Sequence, residues 1–315
     1  MKFANSKQTV SNILLDIYFK NFLKRVAKTI SPPTAYRLMF KTGDKFRDWA
    51  TYPSGTDEPG ALVRASNNLE SANICEPDEI KNVISELLYF ESRFVMENIW
   101  IKNRDCQKII KSFNLDDVNR LKEVLGSNVY VIATIHTVAL YIFVALINIL
   151  NHKSLFLIAN HEKYSWRYSS PLVTSSMQMI KGWKEYQEFV FPDSKDVMQL
   201  SKDAINSGSS LVLCMDTPGY LNGVKAELLG KHITAPAGSA ILSKDCNTPI
   251  LLAIPYATDI YKPYKIFLKV FEPVKQESKN DIEPVLQSMF KEAEPIIRSN
   301  PACWSGWFYI DSMES

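Results

Sequence analysis

Apolar positions change their spacing near residue 126 of this 315-residue chain. Up to there they recur at three- and four-residue intervals, the period of a helix face, with a break at the loop TYPSGTDEPGA of 51–61. The longest helical stretch is PDEIKNVISELLYFESRFVMENIW, opened by a proline and early acidic residues that suit a helix start. Beyond 126, short runs rich in β-branched and aromatic residues (NVYVIATI, SLFLIA, SLVLCM, TPILLAIPY) alternate with helix-length segments, among them about 195–206 and 237–246. This alternation predicts βαβ units, hence an α/β fold with a mostly parallel central sheet flanked by helices. YKIFLKVFEPV reads as a late edge strand, followed by a helix over about 281–298 and the tail NPACWSGWFYI. The expected organisation is a basic N-terminal segment of 1–45 and one α/β domain of 46–315, helical to about 126 with its α/β core from about 127. No internal repeat or low-complexity tract is present.

The run VIATIHTVALYIFVALINIL at 131–150 has the hydropathy and length of a membrane span. Its front is β-branched, however, Thr134, His136 and Thr137 cluster at one point, and the next apolar run follows after three residues. A buried strand turning into a buried helix accounts for all three features. His136 then stands just past the carboxyl end of a strand, where ligand and catalytic groups collect in open α/β sheets.

With 46% hydrophobic and 11% aromatic residues, the chain has enough apolar surface for a large core. Lys and Arg total 36 against 34 Asp and Glu, so the net charge does not suggest a nucleic-acid partner. The distribution is less even. Residues 1–41 hold Lys2, Lys7, Lys20, Lys24, Arg25, Lys28, Arg37 and Lys41 against Asp16. In NILLDIYFKNFLKRVAK, Lys20, Lys24 and Lys28 share one helical face while Leu15, Phe19, Phe22 and Val26 share another. Such a helix suits an anionic membrane surface, and equally a solvated helix docked on the main body. Charges interrupt every stretch that would serve as a signal-peptide core. The five cysteines are scattered and odd in number, which fits free thiols in a reducing cytoplasm. His152 and His161 lack partners at metal-ligand spacing, so no metal site is expected.

The candidate chemistry starts at His136. A neutral imidazole there serves as a general base; the alternative is a core histidine bonded to a backbone carbonyl. Asp216 in LVLCMDTPG occupies the same kind of place after another strand. If the two strands are close, its carboxylate would hold the imidazole's tautomer and stabilise the imidazolium; otherwise it forms an Asx turn in DTPG. Glu162 and Arg167, in IANHEKYSWRY, either meet a polar head group or sit in a solvated loop. Trp304, Trp307, Phe308 and Tyr309 either form an interfacial belt or, by default, cover the sheet.

Three motifs in order, VIATIH opening an apolar helix, LVLCMDTPG followed by LLGKHITAPAGSAILSKDCNTPIL, and IRSNPACWSGWFYI, make the chain resemble the late acyltransferases of lipid A biosynthesis within the lysophospholipid acyltransferase superfamily. The resemblance implies a glycerolipid acyltransferase-like fold. It also implies transfer of a fatty acyl chain from an acyl carrier protein or coenzyme A thioester to a hydroxyl (or amine) of a lipid or glycolipid, with His136 as the base. No cofactor beyond the acyl thioester is implied. Gly219, Gly223 and Lys225 of the loop after Asp216, with Gly238 at the next helix start, are the implied substrate-binding and oxyanion candidates. The implied setting is peripheral, on the cytoplasmic face of the inner membrane. The family pattern places Asp or Glu after His and four residues, whereas HTVALY places Tyr141 there. A phenol orients an imidazole but does not carry the charge that stabilises imidazolium at neutral pH. Three outcomes follow: Asp216 supplies the charge, His136 works with weaker support from Tyr141, or the fold binds lipid or carrier protein without catalysis. A tailoring acyltransferase for a polysaccharide or secondary metabolite is a further alternative.

Overall fold

Strands past residue 126 form where apolar runs are buried on both sides, and the sequence alternation assigns each residue to one of two cores. The computed structural model describes residues 31–32, 34–35, 61–150, 152–157, 188–190, 196–218, 223–275 and 282–314. The basic stretch 12–28, Glu162, Arg167 and Gly219 lie outside the described residues.

Four helices come first: α1 (Ala61–Ser71), α2 (Ile80–Lys102), α3 (Cys106–Lys111) and α4 (Leu115–Leu125). Asn114 caps α4 by accepting from the N–H groups of Asp116 and Asp117, whose carboxylates suit the positive end of the helix. Gly126, at φ 42°, closes it in a conformation that a side chain rarely adopts. The α/β part runs β1 (Val131–Thr134), α5 (Leu140–Ile149), β2 (Ser154–Leu157), β3 (Glu188–Val190), α6 (Val197–Asn206), β4 (Ser210–Cys214), β5 (Gly223–Leu228), β6 (Lys231–Pro236), α7 (Gly238–Cys246), β7 (Ile250–Tyr256), β8 (Lys265–Phe271) and α8 (Ile282–Ser299). Three 3-10 turns then follow, Pro301–Cys303, Ser305–Phe308 and Ile310–Met313.

Six strands form one sheet in the order β3-β2-β4-β1-β7-β8. All neighbours are parallel except β8, which runs antiparallel along β7 at the edge. Successive side chains of β1 point to opposite faces. Ile132 joins Val212, Leu251 and Phe156 in a core under α2 to α5, while Val131 and Ala133 join Leu211, Leu213, Ile250 and Leu252 in a core under α1, α7, α8 and the C-terminal turns. Both faces are covered, which is why β1, β4 and β7 read as unbroken apolar runs. The run at 131–150 divides as strand, turn and the ten-residue α5, and no described helix is long and apolar enough to cross a membrane.

One element departs from expectation. The stretch read as a Gly-punctuated loop contains an antiparallel hairpin, β5 paired with β6 from Gly223↔Pro236 to Leu228↔Lys231. Its two turn residues, Leu229 and Gly230, both have positive φ, 58° and 76°, the backbone of a type I′ turn. Leucine is rare there, so the usual Asn-Gly or Asp-Gly signal is missing.

Candidate active site

Register alone brings two side chains together. In the β1–β4 pair Thr134 lies opposite Cys214, so His136 and Asp216, each two residues farther on, leave adjacent strands at the same end of the sheet. Asp216 is fully buried. Its Oδ1 lies 2.8 Å from His136 Nδ1, and its Oδ2 and Oδ1 accept the His136 backbone N–H at 2.9 and 3.1 Å. The carboxylate therefore reaches across to the end of the neighbouring strand. The ring bonds a carboxylate instead of the backbone carbonyl that a core histidine would use, and 31% of the His136 side chain is exposed.

A carboxylate accepts only, so the proton on this bond belongs to Nδ1, and Nε2 presents a lone pair. That is the tautomer a general base requires. Burial pulls the imidazole pKa down, but the pull of Cys214 and Asp216 is greater, and the ring is held well above its ordinary value. Burial likewise pushes the Asp216 carboxyl up, and is outweighed by the His136 charge and by hydrogen bonds from His136 and Trp304, so Asp216 sits below the usual range. The two groups form an ion pair when the ring is protonated.

The other side of the carboxylate is held by the C-terminal turns. Trp304 Nε1–H donates to Asp216 Oδ2 at 2.7 Å, and the Tyr309 hydroxyl donates to the same oxygen at 3.3 Å. The Tyr309 ring also meets the imidazole edge-on, with centroids 5.8 Å apart. Backbone bonds fix this segment against the turn after β1: Ser305 N–H to His136 O at 2.8 Å and Val138 N–H to Cys303 O at 2.9 Å. Trp307 crosses Trp304 at 4.9 Å and donates Nε1–H to Pro301 O. Gly306 is required by the close approach of Trp304, because a Cβ there would lie 2.0 Å from the indole ring. The aromatic tail thus covers the sheet, as the default reading has it, and two of its polar tips also bond the carboxylate beneath. A short tail in which Trp and Tyr each carry a donor is the signal that sequence reasoning passed over.

Tyr141 lies on α5 with its ring edge-on to Phe156, centroids 6.2 Å apart, while the imidazole donates its Nδ1–H to Asp216. Gly223 begins the hairpin, where a Cβ would strike Thr234 Cγ2 at 2.4 Å, which gives this glycine a packing role. Lys225 is exposed on β5 opposite Thr234, and Gly238 is the first residue of α7. His152 Nε2 meets the Ser210 hydroxyl at 2.7 Å, pinning the chain before β2 to the start of β4.

Cys214, the last residue of β4, was not singled out from the sequence. Its Sγ, a ring nitrogen of His136 and a carboxylate oxygen of Asp216 all lie within 4.8 Å of one another. The spacing that places it, two residues before Asp216 as Thr134 stands two before His136, was readable from the strand pattern. Among the described residues this trio is also the group with ligand chemistry close enough to grip a metal ion. The carboxylate oxygens are turned to N–H groups of His136 and Trp304, so an ion would have to displace those bonds.

A family described as bacterial lipid A biosynthesis acyltransferase matches residues 63–309, a span that holds α2 to α8, the whole sheet, His136, Asp216 and both tryptophans. No curated protein matches the chain.

Proposed function

Because the chain belongs to the bacterial lipid A biosynthesis acyltransferase family, whose members are acyltransferases on lipid-like acceptors, we propose that it moves an acyl chain from an acyl carrier protein or coenzyme A thioester to an acceptor hydroxyl, with His136 as general base. The observation that carries this reading is the 2.8 Å bond between His136 Nδ1 and buried Asp216 beneath a partly exposed imidazole. Nε2 takes the hydroxyl proton as the oxygen attacks the thioester carbonyl, since an alcohol is a poor nucleophile while protonated. Asp216 stabilises the imidazolium that results, the task left vacant at Tyr141. The proton then returns to the departing donor thiol.

The basic helix proposed for residues 12–28 would rest on anionic lipid at the cytoplasmic face of the membrane, with the site opening toward the acceptor. Deleting residues 1–30 is expected to weaken sedimentation with anionic vesicles, and equal partitioning would reject that role.

For the chemistry, His136→Ala is tested with an acyl carrier protein thioester and a lipid A precursor, following product by mass spectrometry. Transfer is expected to fall by about 10²-fold or more while circular dichroism is unchanged. Product at the wild-type rate would remove His136 from the mechanism. Binding of both substrates by the wild type without turnover would favour a lipid-binding role on the same fold.

A further inference from the structure

We propose that His136, Cys214 and Asp216 form an inhibitory zinc site, in which a Zn²⁺ ion held by the three side chains takes the imidazole out of base chemistry. The metal half of the inference stands on the cluster itself, and the inhibitory half rests on the base reading of His136 above.

The register that brings His136 to Asp216 brings a thiol as well. Cys214 ends β4 opposite Thr134, and His136 and Asp216 each stand two residues farther along. The Cys214 Sγ, a ring nitrogen of His136 and a carboxylate oxygen of Asp216 lie within 4.8 Å of one another, and Nδ1 and Oδ1 are 2.8 Å apart. Tetrahedral zinc has bonds of about 2.3 Å to sulfur and about 2.0–2.2 Å to nitrogen and oxygen, which sets neighbouring ligand atoms about 3.3–3.6 Å apart. Side-chain shifts of about 1 Å or less reach that arrangement. In the place of the Nδ1 proton the ion bonds Nδ1 and Oδ1. Oδ2 keeps Trp304 Nε1–H at 2.7 Å and the His136 backbone N–H at 2.9 Å. Hydrogen bonds of this kind orient a ligating carboxylate. The partly exposed edge of the imidazole admits the ion and leaves its fourth position to water.

Thiolate and imidazole favour zinc, whereas magnesium and calcium take oxygen ligands. Among the described residues no other three side chains of this chemistry gather so closely. The ligands come from the ends of two strands, so the regular spacing sought around His152 and His161 does not reveal them.

Binding involves no redox step. The Cys214 thiol gives its proton to solvent as sulfur bonds the metal, and the proton of the neutral ring passes from Nδ1 to Nε2. Nε2 then has no lone pair for an acceptor hydroxyl. An ion bonded to Nε2 would occupy that lone pair directly, so coordination through either nitrogen stops the base.

The reduced full chain, freed of metal with EDTA, is titrated with Zn²⁺ against a chromogenic chelator and with Co²⁺ in the absorption spectrum, while transfer to the lipid acceptor is followed in parallel. The expected result is one Zn²⁺ per chain and a thiolate-to-cobalt charge-transfer band. Affinity should be at least about tenfold weaker in Cys214→Ser, which keeps the side-chain size, and in Trp304→Phe, with folding confirmed by circular dichroism. Zinc in slight excess should slow wild-type transfer by about 10²-fold, reversibly with EDTA, and change the rate of Cys214→Ser little relative to its own metal-free value. A wild type that takes up no zinc at micromolar concentration overturns the inference. So does a cobalt spectrum without the thiolate band, or equal uptake by Cys214→Ser, which places the metal elsewhere. Zinc held by the trio with undiminished transfer keeps the site but removes both the inhibition and the base role of His136. Zinc uptake and cobalt spectra need no turnover, so they decide the site even where no acceptor is acylated.

Discussion

Replacing Asp216 by asparagine changes one oxygen to an amide group and leaves the volume alone, so its effect isolates the charge and the proton arrangement. The carboxylate accepts from Nδ1 and the backbone N–H of His136, from Trp304 Nε1 and from the Tyr309 hydroxyl. Asparagine has one carbonyl oxygen, and its NH₂ must then face a donor. With the oxygen kept toward Trp304, the NH₂ meets His136, and the ring relieves the clash by moving its proton to Nε2. The base is then blocked. Losing a charge-assisted hydrogen bond costs about 1.5–3 kcal/mol, a factor of roughly 10 to 150. The wrong tautomer adds to that, and the same substitution in the serine-protease triad costs about 10⁴ in kcat. We expect kcat of Asp216→Asn to fall by about 10²–10⁴, with KM for the thioester nearly unchanged because the buried carboxylate does not reach substrate. The assay is steady-state transfer to the lipid acceptor, with ¹⁵N spectra of His136 reporting the tautomer and thermal melts confirming folding. A kcat within about threefold of wild type, in a folded protein with its proton still on Nδ1, would refute the relay.

Other outcomes follow from the same contacts. Trp304→Phe keeps an aromatic ring but removes the 2.7 Å donor to Asp216; a stability loss of about 2–4 kcal/mol in urea unfolding is expected, with lower kcat, and an unchanged midpoint would contradict it. Gly306→Ala forces a methyl to within 2.0 Å of the Trp304 indole, which is fully buried; a loss of more than about 2 kcal/mol is expected, and wild-type stability would mean the turn yields freely. For pH, the base is active when neutral, and its pKa is held well above 6.5. The single-turnover rate should climb through a pKa above that value, and in Asp216→Asn any residual activity should titrate lower; an unshifted inflection argues against the pair. The stability linkage has a definite sign. The raised His136 pKa contributes stability that is full below its unfolded value and lost as pH rises through the folded one, whereas the lowered Asp216 pKa contributes above its unfolded value and is lost as pH falls through the folded one. Urea midpoints of wild type and His136→Ala should therefore converge on the alkaline side.

Much of the sheet was readable because burial on both faces makes β1, β4 and β7 continuous apolar runs, and the helices between them follow the helical period. The place of His136 and of Asp216, each past a strand end, was readable for the same reason. Their contact was not, because it depends on β1 and β4 being neighbours, and the order β3-β2-β4-β1-β7-β8 is settled by packing between distant segments. The β5–β6 hairpin was hidden by a leucine in a left-handed turn position, where tertiary packing of Leu229 overrides local preference. Trp304 and Tyr309 looked like sheet covering because their polar tips find a partner only when the C-terminal turns fold back over β1. The H-x4-carboxylate pattern directed attention to Tyr141, while the bond to the ring came from a residue 80 positions away.

That separation has a consequence for how the protein is made. His136 meets Asp216 across 80 residues, and Asp216 meets Trp304 across a further 88. A chain still on the ribosome, with β1 through β4 delivered but residues 301–309 not yet emerged, would hold a carboxylate whose indole and phenol donors do not yet exist. The carboxylate that orients the imidazole would therefore be fully held only after the C-terminal turns dock, late in biosynthesis.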